Sequence, residues 1–199
     1  MSVNFGCTTQ GRGGQALCWI DTAGGVSWSA LHAYNFPLMA GNNWAGTTFG
    51  SFLLSAPIVV AANQKLTVTT ILATALYQPY WDVGFALLVQ GSQVSQVLFA
   101  LRPDGVDQNG DTGPNVFYAK PTAGVVVTPK VQAPPNLVLG GINYGPPVNA
   151  GSGQVSTVVT AVSSPAAGSY QLLFGMFNTN QTTDPTRPSA LVVQFVDVR

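Results

Sequence analysis

Apolar and polar residues alternate with a period of two in several segments of this chain, and stretches with the 3.6-residue period of an amphipathic helix are nearly absent. Six segments carry the strand pattern: 65–74, 84–90, 93–101, 154–162, 169–177 and 190–198. They are rich in β-branched and aromatic residues, which fit a pleated, half-buried surface. Between them lie clusters of turn formers, at Gln90-Gly91-Ser92, Arg102-Pro103-Asp104-Gly105, Ser164-Pro165-Ala166-Ala167-Gly168 and Asp184-Pro185-Thr186-Arg187-Pro188. Short strands at this spacing predict an all-β fold, an antiparallel β-sandwich that is jelly-roll-like.

Two regions depart from the pattern. The stretch from Pro129 to Gly153 holds Pro134, Pro135, Pro146 and Pro147 around Asn136-Leu137-Val138-Leu139-Gly140-Gly141-Ile142-Asn143-Tyr144. Apolar residues continue through it, which predicts a long ordered loop or an edge excursion in place of a domain linker. Residues 1–46 form a Gly- and Trp-rich N-terminal arm or first strands, with Trp19, Trp28 and Trp44 among them. A length of 199 residues with 46% apolar side chains suits one sandwich domain spanning 1–199.

Charge changes the functional picture more than length does. The chain has seven Lys or Arg, seven Asp, no Glu and one His, so its charged fraction is 7% where about a quarter is usual. Most hydrolytic, kinase and metalloenzyme mechanisms draw on carboxylates, imidazoles and thiols set close together, and few are present here. The sequence therefore predicts a protein that is not an enzyme. His32 has no Gly-x-Ser-x-Gly elbow to serve and is read as a structural histidine. Net charge near zero gives no basic field for phosphates, which excludes nucleic acid as an expected partner. The longest apolar stretch, around Phe52 to Ala62, is broken by Ser55 and Pro57 and falls short of the roughly 20 residues of a transmembrane helix. The residues Met1 to Cys7 show no signal peptide, which predicts a mature form or another export route.

Four sets of residues are candidates for chemistry. Cys7 and Cys18 are the only cysteines and flank the bend-prone Gly11, Gly13 and Gly14, so they are a candidate disulfide, with a pair of free thiols as the alternative. Asp104, Asp107, Asn109 and Asp111 form the densest acidic run, and their alternate spacing lets loop oxygens converge on Ca²⁺. A solvated Asx-rich turn is the competing reading of that run. Trp44, Tyr80 and Trp81 lie in polar surroundings where rings can stack on sugars, although packing is the stronger reading of any single ring. Asn180-Gln181-Thr182 fits a glycosylation acceptor and marks an exposed loop.

From Thr47 to Arg199 the order of segments resembles bacterial extracellular β-sandwich domains of the choice-of-anchor type. The resemblance rests on Pro165-Ala166-Ala167-Gly168-Ser169-Tyr170 through Phe174-Gly175-Met176-Phe177-Asn178, on Ser189-Ala190-Leu191-Val192-Val193-Gln194-Phe195-Val196-Asp197-Val198, and on Tyr80-Trp81-Asp82-Val83-Gly84-Phe85. Asp82 matches a family acid, whereas Gln194 and Gln78 stand where relatives carry acids. The resemblance implies a jelly-roll-like sandwich, secreted or at the cell surface, without enzymatic activity. No sorting segment follows Arg199, so a chain released or held non-covalently is expected.

Three functions fit these readings. The leading one is a non-catalytic extracellular structural or assembly subunit of a surface layer, filament or biofilm matrix, self-associating through neutral surfaces or by adding its N-terminal arm to a neighbour's sheet. A carbohydrate-binding or adhesin module that uses Trp44, Tyr80 and Trp81 on glycans is the alternative. A secreted oligomerising toxin is the third.

Overall fold

The structure, a computed structural model, describes residues 7–10, 13–14, 18–27, 49–75, 82–103, 120–132, 137–144, 156–178 and 188–199. Its strands are β1 (Cys7–Gln10), β2 (Gly13–Gly14), β3 (Trp19–Asp21), β4 (Val26–Ser27), β5 (Phe49–Ser55), β6 (Ile58–Val60), β7 (Leu66–Thr74), β8 (Asp82–Gln90), β9 (Gln93–Leu101), β10 (Val126–Gln132), β11 (Val138–Leu139), β12 (Ile142–Asn143), β13 (Ser156–Ser163), β14 (Gly168–Asn178) and β15 (Ser189–Val198). Each of the six segments expected from the sequence holds a strand among its described residues, and no helix occurs among the described residues.

The strands form two main antiparallel sheets. A seven-stranded sheet runs β1-β5-β14-β8-β9, with β4 on β5 and β6 on β14, and a six-stranded sheet runs β10-β13-β7-β15-β3-β2. They pack face to face as a β-sandwich around one apolar cluster: Leu53, Ala86, Leu88, Leu172, Phe174 and Met176 meet Ile20, Leu66, Val68, Leu72, Val159, Leu191 and Val196. Alternation along each strand selects these side chains for the inner face.

The outer faces are also buried over much of their area. Val83, Phe85, Leu87 and Val89 of β8 join Val97, Leu173 and Phe177 in a second cluster, on the side of the seven-stranded sheet away from the first. On the six-stranded sheet, Trp19, Ile71, Ala73, Ala190 and Val192 pack with Leu139 and Tyr144. Leu139 belongs to the β11–β12 hairpin, whose two-residue turn is Gly140-Gly141, with φ of 55° and 82°. Positive φ at both turn positions matches the right-handed strand twist and favours glycine. The region read as a loop or edge excursion thus supplies an edge strand, β10, and this hairpin cover.

Sheet edges expose unpaired main-chain groups and are usually blunted. On the outer side of β9, Thr122 closes the edge: its N–H donates to the Val97 carbonyl at 2.9 Å, and Val97 N–H donates to Thr122 Oγ1 at 2.8 Å. Strand β10 carries Pro129, which has no N–H to donate, and the exposed Lys130. The described strands of the N-terminal region pair within the chain, β1 with β5 and β2 with β3.

Candidate functional site

The polar side chains at one end of the inter-sheet core form a tie between the sheets. Asp82 opens β8 and is 1% exposed, while Asn178 closes β14 directly opposite it. Both positions share the inward parity of Ala86 and Phe174, so both side chains enter the space between the sheets. Asn178 Nδ2 donates to Asp82 Oδ1 at 2.7 Å. Across the core, Ser189 Oγ at the start of β15 donates to Asp82 Oδ2 at 2.5 Å. Ser189 is fixed in turn by its backbone: its N–H donates to Thr22 Oγ1 at 3.0 Å, and Thr22 N–H donates to the Ser189 carbonyl at 2.9 Å. A carboxylate in this setting is stabilised by charge-assisted hydrogen bonds that replace its lost water.

Neighbouring polar groups serve the same end. Asp21 Oδ1 accepts from Ala23 N–H at 3.0 Å, and its Oδ2 accepts from the Tyr144 hydroxyl at 3.3 Å, which anchors the segment following the hairpin onto β3. A second link between sheets runs from Thr157 Oγ1 of β13 to the carbonyl of Pro103, just past β9, at 2.7 Å. At the break between β5 and β6, Ser55 Oγ accepts from Leu172 N–H at 2.8 Å while Gln171 Nε2 donates to the Ser55 carbonyl at 2.8 Å. The ladder of β14 is thereby carried past Ala56 and Pro57.

The Asp82 cluster has the residue types of a hydrolytic site without its access. Ser189 is fully buried, and its hydroxyl donates to a carboxylate instead of to a base that would activate it. Such an arrangement holds two sheets together and presents no nucleophile to a substrate. Among the described residues, no three His, Cys, Asp or Glu side chains gather as a metal site, and no helix is long and apolar enough to cross a membrane.

Of the residues singled out from the sequence, Cys18 is disulfide-bonded. The side chain of Cys7 lies outside the described residues, as do Trp44, Tyr80, Trp81, His32, Asp104, Asp107, Asn109, Asp111 and the Asn180 triplet. Ser189 and Asn178 went unmarked in the sequence. Asp82, Asn178 and Ser189 come from three separate strands and meet at one point. Comparison with protein-family models, curated proteins and solved structures finds no match to this chain.

Proposed function

We propose that this protein is a non-catalytic extracellular structural subunit, a jelly-roll-like sandwich of a surface layer, filament or matrix that works by contact between neutral surfaces. The observation that carries this reading is the fate of its buried acids: Asp82 and Asp21 bond within the fold and hold its layers together. Among the described residues the surface left for partners holds hydroxyls, amides, the exposed Lys65, Lys120, Lys130 and Arg199, and scattered apolar side chains, among them Val59, Val126, Val131 and Val138, each more than half exposed.

Strand order supports the jelly-roll part of the proposal. The central strands run β3-β15-β7-β13 in one sheet and β5-β14-β8-β9 in the other, so that, apart from the β8–β9 hairpin, successive strands of this set change sheets, as two wound Greek keys require. Jelly rolls build coats and lectins alike, so the fold itself does not choose between assembly and ligand binding. The disulfide at Cys18 supports an oxidising, extracytoplasmic setting. With the described strands β1 and β2 paired within the chain and the edges at β9 and β10 blunted, face and loop contacts are the favoured route of assembly over strand addition.

Light scattering after size-exclusion chromatography tests the proposal. Larger species are expected to grow with protein concentration and to persist in high salt, because screening weakens charged contacts and leaves neutral ones intact. A strictly monomeric protein at every concentration and salt level overturns it.

A further inference from the structure

The disulfide joins the two sheets. The chain holds two cysteines, none is free, and Cys18 is disulfide-bonded, so its partner is Cys7. Cys7 opens β1, at the end of the seven-stranded sheet, opposite Ser55 of β5. Cys18 precedes β3 of the six-stranded sheet, and its carbonyl accepts from Val193 N–H at 3.1 Å. One covalent bond therefore ties the N-terminal strand to the body of the sandwich, while the register from Cys7–Ser55 to Gln10–Phe52 seats it on β5.

Between Gln10 and Gly13 the chain passes from one sheet to the other. Three Cα steps reach at most about 11 Å, and packed sheets stand about 10 Å apart, which leaves this crossing little slack. Beyond it, Cys18 has φ of 47°, a left-handed backbone that is uncommon for a residue with a Cβ. Short connections under strain favour exchange of the element they tether, because the same contacts form between two copies with the connection relaxed. Strand β2 holds to β3 by two residue pairs, Gly13–Ile20 and Gly14–Trp19, and offers no side chain to pack. Its release lengthens the connection to residues 11–17 at small cost.

We propose that β1 is an exchangeable strand, and that the Cys7–Cys18 bond decides whether it docks on its own chain or on a second copy. Closed within one chain, the bond keeps each β1 at home. A low-molecular-weight thiol opens it by thiol–disulfide exchange: a thiolate attacks one sulfur, the other leaves as a cysteine thiolate, and a second thiol displaces the first. The two cysteines gain two electrons and two protons while the two small thiols become a disulfide. The freed β1 then leaves the β5 edge, whose bare main-chain groups call for a strand. The structure itself supplies the occupant, since Phe52 to Ser55 receive Cys7 to Gln10 in antiparallel register and the same segment of another copy offers that register again. Two exchanged strands close a symmetric pair, and oxidation bonds Cys7 of each copy to Cys18 of the other. The inference goes beyond the assembly reading, which concerns contacts of the closed, oxidised chain.

Mixing two single variants, Cys7→Ser and Cys18→Ser, tests it. Neither holds both cysteines, so a tryptic fragment in which Cys7 is bonded to Cys18 comes only from two copies. After both variants are reduced, mixed at high concentration and reoxidised with oxidised glutathione, that fragment is expected above chance pairing of the two thiols, and is expected to be lost when the mixing is done dilute. Wild-type protein gives a second readout that does not depend on either variant folding. Reduced and then reoxidised at high concentration, it should run in part as a covalent dimer on a non-reducing denaturing gel, and at low concentration as a monomer. Cys7–Cys18 pairing at chance level in the mixture, or wild-type protein that reoxidises to monomer at every concentration, overturns the proposal. The assembly reading fails separately, because it predicts larger species from protein that has never been reduced.

Discussion

Replacing Asp82 by alanine is expected to lower the unfolding free energy by about 3–5 kcal/mol, because two donors from opposite sheets, the half-buried Asn178 and the buried Ser189, lose their shared acceptor. Asn178 Nδ2 and Ser189 Oγ both point at this carboxylate, and Ser189 is fully buried. Leaving a buried polar group unsatisfied costs about 1–3 kcal/mol. Asp82→Asn keeps one acceptor oxygen and should cost less, whereas Ser189→Ala removes one donor and should cost about 1–3 kcal/mol. Chemical denaturation of the single variants and of Asp82→Ala/Ser189→Ala checks the pair. The double variant is expected to lose less than the sum of the singles, since both remove the same bond. An Asp82→Ala protein within about 1 kcal/mol of wild type would show that the tie contributes little to stability.

That cluster also shows where reading the sequence stops. Strand positions were legible because burial on one face imposes a period of two, and segment 93–101 coincides with β9 from end to end. Strand β10 was harder to see because Pro129 stands within it, and a proline in a strand is tolerated only where its missing donor is not needed, here an edge. The β11–β12 strands are two residues each, too short for any period. Burial of both faces of β8 weakens its alternation into the run Val83 to Val89, which signals a covered outer face without naming its cover.

Tertiary bonds were less legible still. Asp82 lies 107 residues from Ser189 and 96 from Asn178, and no local pattern marks such pairs. The exposure of Phe195 depends on one extra residue in β15. Simple alternation assigns that ring to the core, and a bulge is a property of how two strands pair, so one strand read alone does not reveal it.

The largest packing effects should come from two glycines in the seven-stranded sheet. Gly175 of β14 faces Phe85 of β8 in direct register, and a Cβ at Gly175 would lie 1.9 Å from Phe85 Cζ and 2.3 Å from Cε1. The Phe85 ring lies over the glycine and stacks near Phe177, centroids 6.1 Å apart, and both rings are fully buried. Gly175→Ala must displace that ring within a filled cluster, at an expected cost of about 3 kcal/mol. The obstacle is a side chain, so shortening it should help: Gly175→Ala/Phe85→Leu is expected to be more stable than the sum of its single effects. Gly50 of β5 presents a different obstacle. Its added Cβ would meet the Met176 carbonyl oxygen at 2.2 Å and Phe177 Cα at 2.7 Å, which are main-chain atoms of the paired strand. No rotamer relieves that contact, so β5 must move away from β14, and Gly50→Ala is expected to cost about 4 kcal/mol or more or to prevent folding. Phe85→Leu should give Gly50→Ala no rescue. Denaturation midpoints, with soluble yield as a second readout, check both pairs. Equal rescue of the two glycine variants by Phe85→Leu would mean that general loosening of the cluster, and not the ring over Gly175, sets the cost.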